Sequence, residues 1–141
     1  MTVEPPCIFC DIVGGSEPAD IIYEDVHSIA FLDIAPSAEG HTLVVPRTHA
    51  RTLLDIAPAS ASALMRCATD VARVIDRTFH PDGMTMIQTN ERAGGQSVFH
   101  VHLHLVPRWI EDDLIGPWRA KRIPAEILAA TRLKMIDQND N

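Results

Sequence analysis

Positive charge is in short supply in this chain. It has 12 Lys and Arg against 19 Asp and Glu, a net charge of −7. Nonspecific binding to a nucleic-acid backbone depends on neutralising phosphates, so nucleic acid is not an expected partner. Long apolar runs are missing as well. No stretch approaches the ~18 apolar residues that cross a bilayer. The start, Met1-Thr2-Val3-Glu4-Pro5-Pro6, has no basic region followed by an apolar segment, so neither a membrane span nor a signal peptide is expected. Cysteine is scarce: there are three, too few for the disulfide framework of a small secreted domain. A cytoplasmic location is therefore the default expectation. Internal repeats and low-complexity linkers are absent too, so the 141 residues are expected to form one domain. With 46% hydrophobic and 22% charged residues, that domain can bury a core without staples.

Histidine, by contrast, is concentrated. Three of the seven histidines stand at every second position in Gly95-Gln96-Ser97-Val98-Phe99-His100-Val101-His102-Leu103-His104-Leu105-Val106. A β-strand sends alternate side chains to opposite faces. A strand from Val98 to Val106, ended by Pro107, would present His100, His102 and His104 on one face. Val101, Leu103 and Leu105 would lie on the other. Catalysis, anion binding and an adventitious metal site all fit three imidazoles in a row. The Gly-rich turn ahead of them, with Gln96 and Ser97, can bring backbone N–H groups and a hydroxyl near an anion.

The other elements follow from pattern. Ile21–Glu24 and Ser28–Leu32 read as a strand hairpin, with His27 a solvated turn residue. His41–Pro46 reads as a third strand ended by Pro46. Leu64, Ala68, Val71, Ile75 and Phe79 form one apolar stripe of a helix from Pro58 to Phe79, closed by His80-Pro81-Asp82-Gly83. On it Cys67 reads as a small helix residue. Met84–Thr89 is a fourth strand, and Pro124–Ile136 a C-terminal helix before a polar tail. Trp109 and Trp118 fit core, interface or a substrate rim equally. Cys7-Ile8-Phe9-Cys10 leaves four readings open: half a zinc site, a redox pair, a disulfide, or two small apolar residues.

The stretch Gly95-Gln96-Ser97 followed by His100, His102 and His104, together with Gly-His-Thr-Leu-Val-Val-Pro-Arg-Thr-His at 40–49, resembles the histidine triad (HIT) superfamily over about residues 7–108. Residues 109–141 form a C-terminal extension without the Trp-Pro-Pro-Gly ending of the eukaryotic-type phosphoramidases. The resemblance implies an α+β fold: an antiparallel sheet of about five strands, with one long and one C-terminal helix packed on it, commonly as a homodimer. In bacterial-type members with an N-terminal CxxC, it implies a structural zinc on Cys7, Cys10, His49 and His100.

The resemblance also implies chemistry. His102 would attack the α-phosphorus of a nucleoside phosphoramidate or related nucleotide conjugate, its other ring nitrogen held by the His100 carbonyl. The nucleotidyl-histidine would then be hydrolysed to a nucleoside monophosphate, with no catalytic metal required. His104, Gln96, Ser97 and Asn90 would contact the phosphate or leaving group, and His41 or Ser97 with water would protonate the latter. Asp33 would bind the ribose of a purine nucleotide, with Phe9, Phe31 and Ile34 around the base; for these three, core packing is the competing reading. A dinucleoside polyphosphate hydrolase and a non-catalytic purine-nucleotide or zinc-binding interaction protein are the alternatives. The family's uridylyltransferase branch has Gln where His104 stands.

Overall fold

Alternating apolar residues dominate the first half of the chain, and they build a sheet buried on two sides. The structure, a computed structural model, describes residues 6–114 and 121–138. The elements run α1 (Ile8–Gly14), β1 (Ile21–Glu24), β2 (Ser28–Leu32), β3 (Thr42–Pro46), α2 (Pro58–Phe79), β4 (Gly83–Ile87), β5 (Leu103–Arg108) and α3 (Ala125–Gln138). The five strands form one antiparallel sheet in the order β1-β2-β3-β5-β4. The α+β fold class read from the sequence is therefore the observed one.

Two core clusters flank the sheet. On one face Ala30, Val44, Leu103 and Leu105 pack against Leu64, Cys67, Ala68, Val71 and Ile75 of α2. On the other, Ile29, Phe31, Leu43 and Val45 pack against Phe9 and Ile12 of α1. Strand alternation explains the division, since neighbours in β2 and β3 serve opposite faces. It also fixes His104. Lying between Leu103 and Leu105 and paired with Leu43, it faces the α1 side, where the candidate site lies.

Helix α2 matches its predicted bounds, with Pro58 in its first turn and His80 closing it at φ 49° in the left-handed conformation. Its stripe is what holds it to the sheet; cutting Ile75 back to Ala costs about 2–5 kcal/mol. Cys67 is a buried core residue, and burial pushes its thiol up to about 12, so it is inert. His27 is exposed in its turn, as expected. Helix α3 forms near its predicted place, but every one of its residues is exposed. Its apolar residues lack the one-sided spacing of α2, so it has no stripe to lay on the sheet. Trp109 is 37% exposed; Trp118 lies outside the described residues.

Candidate active site

The histidine row is not one strand. Strand β5 begins only at Leu103 and continues through Pro107 to Arg108, so of the triad only His104 belongs to it. The preceding residues are tied elsewhere: the Val101 N–H donates to the Ala50 carbonyl at 2.7 Å, and the His100 Nε2 lies 2.8 Å from the Pro46 carbonyl. Both faces of this segment are therefore buried. His100 is 0%, Val101 1% and His102 5% exposed, where simple alternation predicts one open histidine face.

The rings still meet. His102 and His104 lie 4.9 Å apart between centroids, and Phe9 packs edge-on against His102 at 5.1 Å. The His102 Nδ1 lies 2.6 Å from the His100 carbonyl, the contact implied by the resemblance. A carbonyl only accepts, so Nδ1 carries the proton and Nε2 keeps its lone pair. Among the described residues, that second nitrogen makes no hydrogen bond. Burial lowers the His102 pKa, opposed by the bond to His100. His104 is held at about 4 by burial, then by the neighbouring His102 and His41 rings. At pH 7 both imidazoles are neutral, the state a nucleophile or an aimed N–H donor requires.

A second cluster forms where helix α1 starts. Cys7 is the N-cap of α1, its Sγ accepting from the Cys10 N–H. Cys7 Sγ lies 3.4 Å and Cys10 Sγ 3.5 Å from His100 Nδ1. Cys10 Sγ lies 3.3 Å from His49 Nδ1, and the two Nδ1 atoms are 3.1 Å apart. Zn–S bonds of about 2.3 Å and Zn–N bonds of about 2.0–2.1 Å at tetrahedral angles put ligand atoms roughly 3.3–3.8 Å apart. All four donors lie within 4.8 Å of one another, so the set fits a zinc ion. His100 is prepared for it: its Nε2 donates to the Pro46 carbonyl, which leaves the Nδ1 lone pair facing the thiols. An open cleft of about 790 Å³, lined in part by Cys7, His49, Arg51 and Ser97, provides an entry path.

The remaining predicted residues divide into those near the triad and those that hold loops. Asp33 directs its Oδ2 toward His41 Nε2 at 3.5 Å and His104 Nδ1 at 3.9 Å. Ser97 is exposed on the rim of the cleft. Gln96 is buried and engaged within the protein: Oε1 accepts from the Glu91 N–H, and Nε2 donates to the Arg51 and Val98 carbonyls. It pins the triad's approach to the loop that carries His49. Asn90 Oδ1 accepts from the Leu53 N–H, and its amide pairs reciprocally with Gln88. Phe9 and Phe31 are 5% and 3% exposed and pack edge-to-face at 5.4 Å, so core packing describes both. Ile34 is 97% exposed.

Some contributors have no signature in the sequence. The Pro46 carbonyl and the Ser37 N–H, which meet His100 and His41, are main-chain groups that almost any residue supplies. The Arg51 guanidinium forks onto Glu91 through two bonds of 2.8 Å and lies 4.2 Å from the Phe99 ring centroid. Glu91 itself sits at φ 62°, a conformation costing about 1–3 kcal/mol outside glycine. The Arg51 fork and the Gln96 contact hold it there.

Comparison with known proteins agrees with this architecture. The family model for the HIT domain matches residues 15–109. Protein hit of Bacillus subtilis is 40% identical over 110 residues, covering 78% of this chain and 76% of that protein. Adenylylsulfatase HINT3 of Arabidopsis thaliana is 32% identical over 113 residues, 80% of this chain and 57% of the relative. The crystal structure of a Zn-bound histidine triad family protein from Mycobacterium smegmatis superposes with a TM-score of 0.74 at 36% identity, covering 94% of this chain and 96% of that one. With the matched domain spanning most of its length and the triad in place, this chain belongs to the HIT family.

Proposed function

We propose that this protein is a nucleotide-binding hydrolase or transferase. It acts at the α-phosphorus of nucleoside phosphoramidates or related nucleotide conjugates, through a nucleotidyl group on His102. The observation that carries this reading is the 2.6 Å contact between His102 Nδ1 and the His100 carbonyl. It fixes one tautomer and leaves a lone pair on Nε2 of a neutral, buried ring. The Nε2–P bond forms as the P–N or P–O bond to the leaving group breaks, and the leaving group takes a proton. Water then attacks phosphorus, the P–Nε2 bond breaks, and a nucleoside monophosphate is released. Likeness to the Arabidopsis adenylylsulfatase HINT3 supports chemistry at an adenylyl phosphorus.

The roles around His102 follow from position. His104 donates to a phosphoryl oxygen as charge redistributes, and Asp33 takes the ribose hydroxyls of a purine nucleotide. Because the His41 Nε2 is directed at His104, Ser97 with bound water is the better source of the leaving-group proton. Cys7, Cys10, His49 and His100 hold a structural zinc, which when bound adds its binding energy to folding. The proposed assembly is a homodimer. It is supported by β4, an edge strand on which Met86 is 47% and Ile87 36% exposed. The proposed compartment is the cytoplasm.

The test is single-turnover mass spectrometry with an adenosine phosphoramidate on wild type and His102→Ala. The expected result is a transient gain of one nucleoside monophosphate on wild type, mapped to His102 and absent in the variant. No gain and no release, with a dinucleoside polyphosphate as well, would replace the enzyme reading with a binding protein.

A further inference from the structure

Asp33, His41 and His104 bring one carboxylate oxygen and two ring nitrogens within 4.8 Å of one another. By spacing alone this is a second set of metal donors. The protons decide otherwise. The Ser37 N–H points at the His41 Nδ1 at 3.0 Å. An amide N–H can only donate, so Nδ1 is an acceptor and the proton of the neutral ring is on Nε2. That nitrogen lies 3.0 Å from His104 Nδ1, with Asp33 Oδ2 as a weaker second acceptor at 3.5 Å. His104 Nδ1 must then accept, and its own proton resides on Nε2. A cation on the trio would need His41 Nε2 stripped of its proton, with the proton moved onto Nδ1 against the Ser37 N–H.

We propose that His41 is a positioning residue that locks His104 with its proton on Nε2, so that His104 presents an N–H to the substrate phosphoryl group. The Asp33–His41–His104 trio is accordingly a hydrogen-bond relay and not a second metal site. The inference deepens the reading of the triad given above and rests on it for the substrate. The loop is built for this. Asp33 N–H donates to the His41 carbonyl, and His41 N–H to the Ala38 carbonyl, both at 3.0 Å. Asp33 Oδ1 is anchored by the Ala35 N–H at 2.9 Å. Gly40, at φ 91°, leaves space only for a hydrogen, because a Cβ there would come within 2.5 Å of the Phe79 ring. The bend that swings Ser37 back onto His41 is thus set against the end of α2.

The experiment is ¹⁵N NMR of histidine-labelled, zinc-loaded protein, joined to kinetics on the same samples with the adenosine phosphoramidate. In wild type, His104 is expected to show an unprotonated Nδ1 and a protonated Nε2. The reverse assignment overturns the proposal whether or not the protein turns over substrate, which separates its failure from that of the proposed activity. His41→Leu is expected to show mixed His104 tautomers and a kcat lower by on the order of tenfold to a hundredfold, with KM within about twofold. His41→Gln, whose side-chain N–H still reaches toward His104, is expected to recover most of that loss. Equal losses in the two variants overturn the proposal. So does a second equivalent of zinc that binds the loaded wild type and is lost in Asp33→Asn.

Discussion

Two clusters flank the triad, one thiol-rich and one built on a carboxylate, and each contains two histidines. At the thiol cluster, the outward nitrogen of His100 meets a carbonyl, that of Pro46, so the inward nitrogen has a lone pair. At the carboxylate cluster, the outward nitrogen of His41 meets an N–H, that of Ser37, so the inward nitrogen has a proton. The first arrangement suits a metal ion, the second a hydrogen bond. The residue type and the spacing are alike; the backbone group behind the ring reverses the chemistry. Distances between donor atoms alone do not separate a metal centre from a relay.

The largest test of this contrast removes the thiols. Cys7→Ser with Cys10→Ser is expected to abolish zinc binding, read as metal per chain after desalting. Melting should fall by roughly 10 °C, the scale expected when a tight ligand of the folded state is lost. Unchanged metal content and melting temperature would break the comparison at its first half. A smaller effect is expected at Gln96, whose amide holds the His49 loop against the triad's approach. Gln96→Ala leaves three main-chain partners without this bond and should lower stability by about 1–3 kcal/mol in urea unfolding. Zinc affinity should fall with it, since His49 and His100 lie on the two segments it joins. A variant with full stability would show that the pin is dispensable.

On the carboxylate side, Asp33→Asn removes a charged acceptor. Nucleoside monophosphate affinity is expected to weaken roughly tenfold or more in calorimetry, with zinc content unchanged. Loss of zinc instead would merge the two clusters. The smallest effect concerns pH. His104 is held at about 4, first by burial, and burial lowers His41 against the pull of Asp33. A folded pKa below the unfolded value of roughly 6.5 means that the unfolded chain takes up protons first. The stability contributed by neutral His104 is complete above about pH 6.5 and is lost as pH falls toward 4. Urea midpoints at pH 7 and pH 4.5 should therefore drop more for wild type than for His104→Gln; equal drops would show that His104 is not the group concerned.

Local regularities made much of this molecule readable in advance. The α2 stripe and its bounding Pro58 and His80 needed no tertiary context, because amphipathic spacing and end signals lie within neighbouring residues. The β1–β2 hairpin was readable for the same reason. The CxxC, His49 and the triad were visible as residue types at a spacing. The length of the triad strand was not, since Val101 and His100 bond to Ala50 and Pro46, the end of β3 and the loop after it, some fifty residues away. Nor was the exposure of α3: the residue types suit a helix, but only the placement of the sheet decides whether a face is covered. Gln96 reads like a phosphate contact until its main-chain partners are known.

The sequence by itself determined the strands and the long helix, the family resemblance, and which side chains bring nucleophilic and metal-binding chemistry. These are properties of side-chain type and period, which are written locally. The tertiary structure alone decided which nitrogen of His41, His100, His102 and His104 has the proton, because that depends on carbonyls, amides and rings of other segments. A backbone group has the same chemistry at almost every residue, so no letter of the sequence marks the ones that aim His100, His102 and His41.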